Sequence, residues 1–396
     1  MSEWVQRRLS TLGVIITGKT PSKDNPNEWG NIYMFITPTD YANYNKFANT
    51  SIRMLSEIGM NRHNTRIIPK NSCLVTCIGS DMGKVVINGK ECFTNQQINS
   101  FIPNNEVIID FIYYYFKDNE YLLKSLGSSG SAVPILNKTD FGNIEINLPP
   151  LPEQKAIADV LSALDDKIDL LHRQNYTLEQ MAETLFRQWF VEEANENVGI
   201  IGDLVNLQSG YAFKSKDFLS DGKNSVIKIK NINGDYVDLD NTDYVDDSIF
   251  AQIPQKFLIS SGDVLIAMTG AEIGKLGVVP KNKKILLLNQ RVGLLKEKFK
   301  GANYLAYLQL KGEEGQDYIN NSATGSAQPN ISSSLIEKCP FPVIKQENML
   351  KYSEIIYSFF EKKIFNLEQI QTLETLRDTL LPKLISGEVR VNVQAA

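Results

Sequence analysis

The chain has 396 residues, which favours two or three domains, each of ~150 residues and able to bury a core of its own. With 42% hydrophobic and 22% charged residues the composition is ordinary for a globular protein, and no apolar run reaches the ~18 residues of a membrane-spanning helix. The net charge of −5 at first disfavours nucleic acid, but residues 151–195 carry 4 basic against 9 acidic groups, so the remainder is close to neutral.

In chain order, strand-like runs appear at Gly13–Thr17, Ile32–Ile36, Ser72–Ile78 and Lys84–Ile87, followed by a helical stretch at Asp110–Leu123. A Gly-Ser loop, Gly127 to Ser131, leads to Leu148-Pro149-Pro150-Leu151-Pro152, where the prolines block helix. A long helix then begins. Ile157, Leu161, Leu164, Ile168, Leu171, Asn175, Leu178, Ala182, Leu185 and Trp189 alternate spacings of three and four, which is a heptad seam with Asn175 at an a position.

The same order then returns. Leu12 and Gly18 come back as Leu204 and Gly210; Leu74, Gly79, Gly83 and Lys84 as Leu265, Gly270, Gly274 and Lys275. Asn95-Gln96 comes back as Asn289-Gln290, and Gly130-Ser131-Ala132 as Gly325-Ser326-Ala327. Strands are expected at Val226–Ile229, Asp263–Met268, Leu276–Val279 and Ile285–Leu288, and a helix at Ala302–Lys311. Pro340-Phe341-Pro342 supplies the second bend. The second long helix, from Glu347 to Leu381, carries Ile356, Phe360, Ile364, Leu367, Ile370, Leu373, Leu376 and Leu380, with a stutter near Leu367–Ile370; Pro382 and Gly387 should end it.

A repeat this large is a pseudo-dimer in one chain, not a solenoid. The expected fold class is α+β: two similar mixed α/β globular domains separated by two long antiparallel coiled-coil helices. The domains fall at 1–150 and 196–345, the helices at 151–195 and 346–396 with its tail. At 1.5 Å per residue a helix of ~36 residues makes a rod of ~55 Å.

Catalytic motifs are weak. Gly79–Lys84 and Gly270–Lys275 resemble a phosphate loop, but they are one residue short between the glycines, and Val85 and Leu276 stand where Ser or Thr would hold Mg²⁺. They read better as strand–turn–strand units with a lysine at the tip, phosphate-contacting or merely solvated. Cys73, Cys77, Cys92 and Cys339 do not repeat between copies, and with only His63 and His172 a zinc site has little support; buried thiols in a reducing cytoplasm are the expectation. Met1 to Gly13 lacks a signal-peptide pattern. No Asn-Pro-Pro-aromatic motif of an amino-methyltransferase is present.

What remains is binding chemistry. Lys19, Thr20, Ser22 and Lys23 in the first copy, and Tyr211, Lys214 and Lys216 in the second, combine hydroxyls, cations and an aromatic. Lys84, Gln96, Ser128, Ser129 and Ser131, with Lys275, Gln290, Arg291, Thr324, Ser326 and Gln328, add groups suited to phosphates and base edges. Arg53, Arg62, Arg66 and Lys70, and Lys281, Lys283, Lys284, Lys296, Lys298 and Lys300, could gather into basic faces.

The run Leu148-Pro149-Pro150-Leu151-Pro152-Glu153-Gln154-Lys155-Ala156-Ile157-Ala158-Asp159-Val160-Leu161 resembles the specificity subunit of type I restriction–modification systems. The Gly18–Pro21 turn with Trp29 downstream and the Gly-Ser-Ala loops ahead of each bend support it over essentially the whole chain. The second bend, Val343-Ile344-Lys345-Gln346-Glu347, keeps Gln but loses Leu-Pro-Glu. The resemblance implies a non-catalytic, cytoplasmic reader of double-stranded DNA with no membrane contact. Each domain would recognise half of a split site, and the helices would set a gap of ~10–16 base pairs between half-site centres. It also implies two methyltransferase subunits docked on the helices and restriction/translocase subunits beyond them. S-adenosylmethionine, Mg and ATP would belong to those partners, with no cofactor or metal in this chain. Because the copies share little beyond their Gly/Pro framework, the half-sites should differ. The competing readings are a coiled-coil scaffold with protein-binding heads and an autonomous DNA-modifying enzyme, which the missing motifs disfavour.

Overall fold

A computed structural model describes residues 3–127, 134–192, 198–325 and 329–391. They fall into two compact units, Met1–Asp169 with Leu373–Ala396, and Leu170–Thr372. No described helix is long and apolar enough to cross a membrane.

The first unit contains a five-stranded sheet ordered Gly13–Thr17, Ile98–Pro103, Cys73–Thr76, Val85–Asn88, Phe47–Ala48. Beside it lies a four-stranded sheet ordered Trp29–Gly30, Arg53–Leu55, Tyr33–Ile36, Cys92–Thr94. Cys73–Thr76 reads as an apolar run closed by a threonine because all its residues are buried. Helix Ile109–Asp118 lays Phe111, Tyr114 and Phe116 into the same core as Leu9, Val75 and Phe101. This helix stops at Asn119, whose side-chain amide donates to the Tyr115 carbonyl (2.9 Å); Glu120–Gly127 is a separate helix where the sequence predicts one continuous element. A two-stranded ribbon, Val5–Arg8 with Glu145–Leu148, closes the unit.

The second unit repeats the plan. Val205–Ser209, Val292–Glu297, Val264–Ala267 and Leu276–Val278 form one sheet; Phe218–Leu219, Asp243–Val245, Asn224–Ile227, Ile285–Leu288 and Leu258–Ile259 form the other. The mixed pairing is reproduced as well. Tyr33–Ile36 runs parallel to Cys92–Thr94, and Asn224–Ile227 runs parallel to Ile285–Leu288. Pro340–Pro342 is more than a bend: it pairs with Val198–Ile200 and buries Phe341. A two-stranded ribbon has only edge strands, where proline's missing N–H is tolerated.

The long helices span Leu151–Phe186 and Gln346–Ser386, and each contributes to both units. In the first unit Asp165 pairs with Arg377 (3.0 Å) and Glu153 with Arg390 (2.5 Å). In the second, Asn175 pairs with Asn366 (2.9 Å) and Glu179 with Lys363 (2.5 Å). Within each unit one helix segment ascends as the other descends, which is antiparallel pairing. Ile157, Leu161, Ile168, Leu171, Asn175, Ile356, Phe360 and Leu367 are buried, whereas Leu164, Leu178, Leu185, Ile364, Leu373 and Leu380 lie half-buried on the flanks and Leu376 is exposed. The second helix does not end at Pro382. It continues to Ser386 because its last turn buries Leu381, Leu384 and Ile385 against Ile157 and Leu161, which outweighs one lost backbone hydrogen bond.

Lys363, only 1% exposed, is the main departure from the predicted seam. It sits between Glu179 and Asp235, and Glu179 also accepts from the Tyr307 hydroxyl (2.5 Å) and from Lys311. Burial pushes the Glu179 carboxyl up, but the charges of Lys363 and Lys311 outweigh it and hold the group at about 2. Burial pushes Asp235 above the usual carboxylate range, against the pull of Lys363.

Removing Lys363 alone would leave Glu179 facing Asp235 with only the half-exposed Lys311 as a counter-charge. Lys363→Met is expected to cost about 3–5 kcal/mol in denaturant unfolding. Because Glu179 titrates below its ordinary value of 4.5 when folded, its contribution is complete above that pH and disappears as pH falls through about 2. Glu179→Gln should therefore flatten stability against pH between those limits, measured by urea melts on the acid side.

Candidate nucleic-acid interface

In each unit several of the predicted binding segments that the structure describes meet where strands end. Strand Gly13–Thr17 runs into Gly18, whose N–H donates to the Ile98 carbonyl (3.2 Å), and the next N–H, of Lys19, donates to Thr94 (2.9 Å). Gly18 must be glycine here, since a Cβ would sit 2.2 Å from the Thr94 carbonyl oxygen and 2.3 Å from that of Asn95. The close approach brings the Lys19–Lys23 loop onto the Asn95-Gln96 turn, and the Thr20 hydroxyl bonds the Gln96 side chain at 2.8 Å. The Cys77 N–H donates to Gln97 (2.7 Å), and its carbonyl accepts from Leu136 (2.9 Å). The Gly79 N–H donates to Pro134 (3.1 Å). Three predicted loops are thus tied together largely by backbone bonds.

The second unit reproduces these bonds. Gly210 donates to Val292 (3.2 Å), Tyr211 to Leu288 (2.8 Å), Met268 to Arg291 (3.1 Å), Gly270 to Pro329 (2.8 Å) and Ile331 to Met268 (3.0 Å). A Cβ on Gly210 would lie 2.3 Å from the Asn289 carbonyl oxygen, the same obstruction as at Gly18. Side chains supported by equivalent backbone differ: Lys19 against Tyr211, Thr20 against Ala212, Gln97 against Arg291.

Lys19, Ser22, Lys23 and Gln96 are exposed in the first cluster; Lys214, Lys216, Gln290, Arg291 and Thr324 are exposed in the second. Ser22 bonds Asp24 (3.1 Å), and Tyr211 is half-buried, edge-on to Phe213 and Phe257. Ser128, Ser129, Ser131, Ser326 and Gln328 lie outside the described residues. The two Gly-x-x-x-Gly-Lys segments are strand–turn–strand units. Each tip lysine pairs with an acid three residues earlier, Lys84 with Asp81 (2.6 Å) and Lys275 with Glu272 (2.5 Å). Such exposed pairs are worth little and open readily for a phosphate.

The predicted basic faces are largely committed elsewhere. Arg62 and His63 both hold the buried Glu28 (2.7 and 2.9 Å), and these hydrogen bonds lower its carboxyl below the ordinary range. Arg66 donates to the Thr17 carbonyl (2.5 Å). Lys284 and Lys298 hold the carbonyls of Leu239 and Gly202, Lys281 pairs with Glu368 (3.2 Å), and Lys300 lies over the Tyr357 ring. These cations position loops and strands, a role that sequence proximity does not reveal. All four cysteines are free and buried, which pushes the Cys77, Cys92 and Cys339 thiols up to about 12. Such thiols are poor nucleophiles. Among the described residues no group of three His, Cys, Asp or Glu side chains could hold a metal.

The type I restriction modification DNA specificity domain model matches residues 1–180 and 195–376. The chain is 28% identical to the type I restriction enzyme MjaIX specificity subunit of Methanocaldococcus jannaschii, over 98% of this chain and 94% of that protein. It is 40% identical to the HindI specificity subunit of Haemophilus influenzae over 148 residues, 37% of this chain and 32% of that one. The fold is similar to the crystal structure of the type I restriction–modification S subunit from M. genitalium, with a TM-score of 0.60, 18% identity and 96% of each chain covered.

If the backbone framework and the exposed side chains do separate jobs, their substitutions should separate too. Gly210→Val is expected to lose more than about 2 kcal/mol of stability, whereas Gln96→Ala and Arg291→Ala should stay within about 0.5 kcal/mol in the same melts.

Proposed function

The chain belongs to the type I restriction–modification DNA specificity family, and we propose that its two loop clusters are the surfaces that read DNA, one half-site each. The duplicated backbone framework carrying unlike side chains is the observation behind this reading. Lys19, Thr20 and Gln97 in one cluster, and Tyr211, Ala212 and Arg291 in the other, offer different donors, acceptors and faces from equivalent positions, while Gln96 and Gln290 are common to both. Two unlike readers call for an asymmetric bipartite target. Phosphate contacts from the lysines would fix register, and side chains reaching base edges would discriminate sequence.

The chemistry is assigned to partners. Exposed loops of amide, hydroxyl and ammonium groups equip this chain to bind, and adenine methylation needs a flipped base and S-adenosylmethionine. We place both with methyltransferase subunits docked on the long helices, and ATP-driven cleavage with restriction/translocase subunits. The helices would also act as the spacer that sets the gap between half-sites. Leu151–Phe186, at 36 residues, is about 54 Å long by helical rise.

Methylome sequencing of a host with and without this chain should reveal one bipartite, non-palindromic motif that disappears with it. A palindromic motif would contradict the two-reader proposal. Reconstituted with methyltransferase subunits, the chain should shift a duplex carrying that motif, with affinity falling steeply as salt rises. A protein-binding scaffold would give no such shift.

A further inference from the structure

The outer sheets of the two units can be superimposed by register. In the first unit Phe35 lies opposite Arg53 on one side and Phe93 on the other; in the second, Val226 lies opposite Asp243 and Leu287. Trp29 and Phe218 hold the same place on the neighbouring edge strand, opposite Leu55 and Val245. Position by position, Arg53 in the first unit is therefore Asp243 in the second.

The charge at this place is handled in opposite ways. In the second unit Lys228 lies over the Phe218 ring, 3.2 Å from its centroid, and Asp243 neutralises it. Lys230 pairs with the same carboxylate oxygen (3.0 Å each), and Asp243 is held below the ordinary range, burial being outweighed by the two lysines. In the first unit the Arg53 guanidinium lies 3.5 Å from the Trp29 ring centroid, and Trp29 is braced edge-on by Phe35 (5.0 Å). Arg53 is exposed, and among the described residues no carboxylate meets it. The guanidinium is thus held by an aromatic ring and not by an acid.

We propose that Arg53 reads a guanine in the half-site of the first unit, and that the second unit has no equivalent contact because Asp243 occupies the position. This rests on the DNA-reading function proposed above. Stacking on tryptophan restricts the side chain to a plane and leaves the donor edge of the guanidinium free. A flat, preorganised fork is what the O6 and N7 acceptors of guanine require. The place is also connected to the loop cluster: Phe93, in the same cross-strand row as Arg53, is three residues before Gln96 on one continuous chain.

The test uses the complex reconstituted with methyltransferase subunits and duplexes carrying the motif found by methylome sequencing. Guanines are replaced one at a time by 7-deazaguanine, which removes the N7 acceptor and leaves pairing intact. One replacement, in one half-site only, should weaken wild-type binding by about 10-fold, and Arg53→Ala should weaken the unmodified duplex by about 10- to 100-fold while becoming indifferent to that replacement. Arg53→Lys, which keeps charge and fold, should lose the same sensitivity. Uniform weakening of Arg53→Ala on specific and unrelated duplexes alike would mark a phosphate contact and overturn the proposal. So would unchanged affinity, or a wild-type complex with no 7-deazaguanine effect in either half-site. Failure of the wild-type complex to select any bipartite duplex would instead overturn the underlying DNA-reading function.

Discussion

The arrangement of both loop clusters follows from one constraint, the approach of backbone to backbone at Gly18 and Gly210. At each position a methyl group would lie little more than 2 Å from a carbonyl oxygen, so the chain leaves the first strand along a path open only to glycine. The loops that follow are then tied down by main-chain N–H and C=O groups. A scaffold held largely by its own peptide groups depends little on which side chains it presents at its exposed loop positions. Lysine, threonine and glutamine can occupy one copy and tyrosine, alanine and arginine the other, with the same bonds underneath.

The helix segments in the second unit work on the opposite principle. Their seam contains the Asn175–Asn366 pair and the Glu179–Lys363–Asp235 group. The asparagines satisfy each other only in part, since Nδ2 of Asn175 and Oδ1 of Asn366 are buried without partners. Sliding one helix by a turn would part Asn175 from Asn366 and Glu179 from Lys363, at a cost of several kcal/mol for the charges. These groups give up stability to fix one register. Asp235 extends that register from the helices into the loop before Tyr236, so the same lysine that orders the seam also orders part of the globular fold.

Most of the framework was legible in the sequence because it is written in residues with a single physical use. Glycines at close approaches, prolines ahead of the first helix and apolar residues at heptad spacing each announce their structural place. The seam of the second helix was read less well. Hydrophobic periodicity cannot anticipate Lys363 or Asn366, because a buried cation is visible only when its partners Glu179 and Asp235, far away in sequence, are known. For the same reason Arg62, Arg66, Lys284 and Lys298 looked like surface cations until their carboxylate and carbonyl partners were seen. Arg53 was among the basic residues singled out, but its difference from the others, an aromatic support and no acid, is a tertiary fact.

The short ribbons that close the two units have a further consequence. Val5–Arg8 lies hydrogen-bonded to Glu145–Leu148, and Val198–Ile200 to Pro340–Pro342. The chain therefore arrives at each globular portion and departs from it through adjacent strands. A portion anchored at one such gate can be exchanged for another of different length and loop content without moving the points to which it is attached. On the reading proposed above, the stretch between two paired strands would be the natural unit of exchange, altering one half of the recognised site and leaving the other as it was.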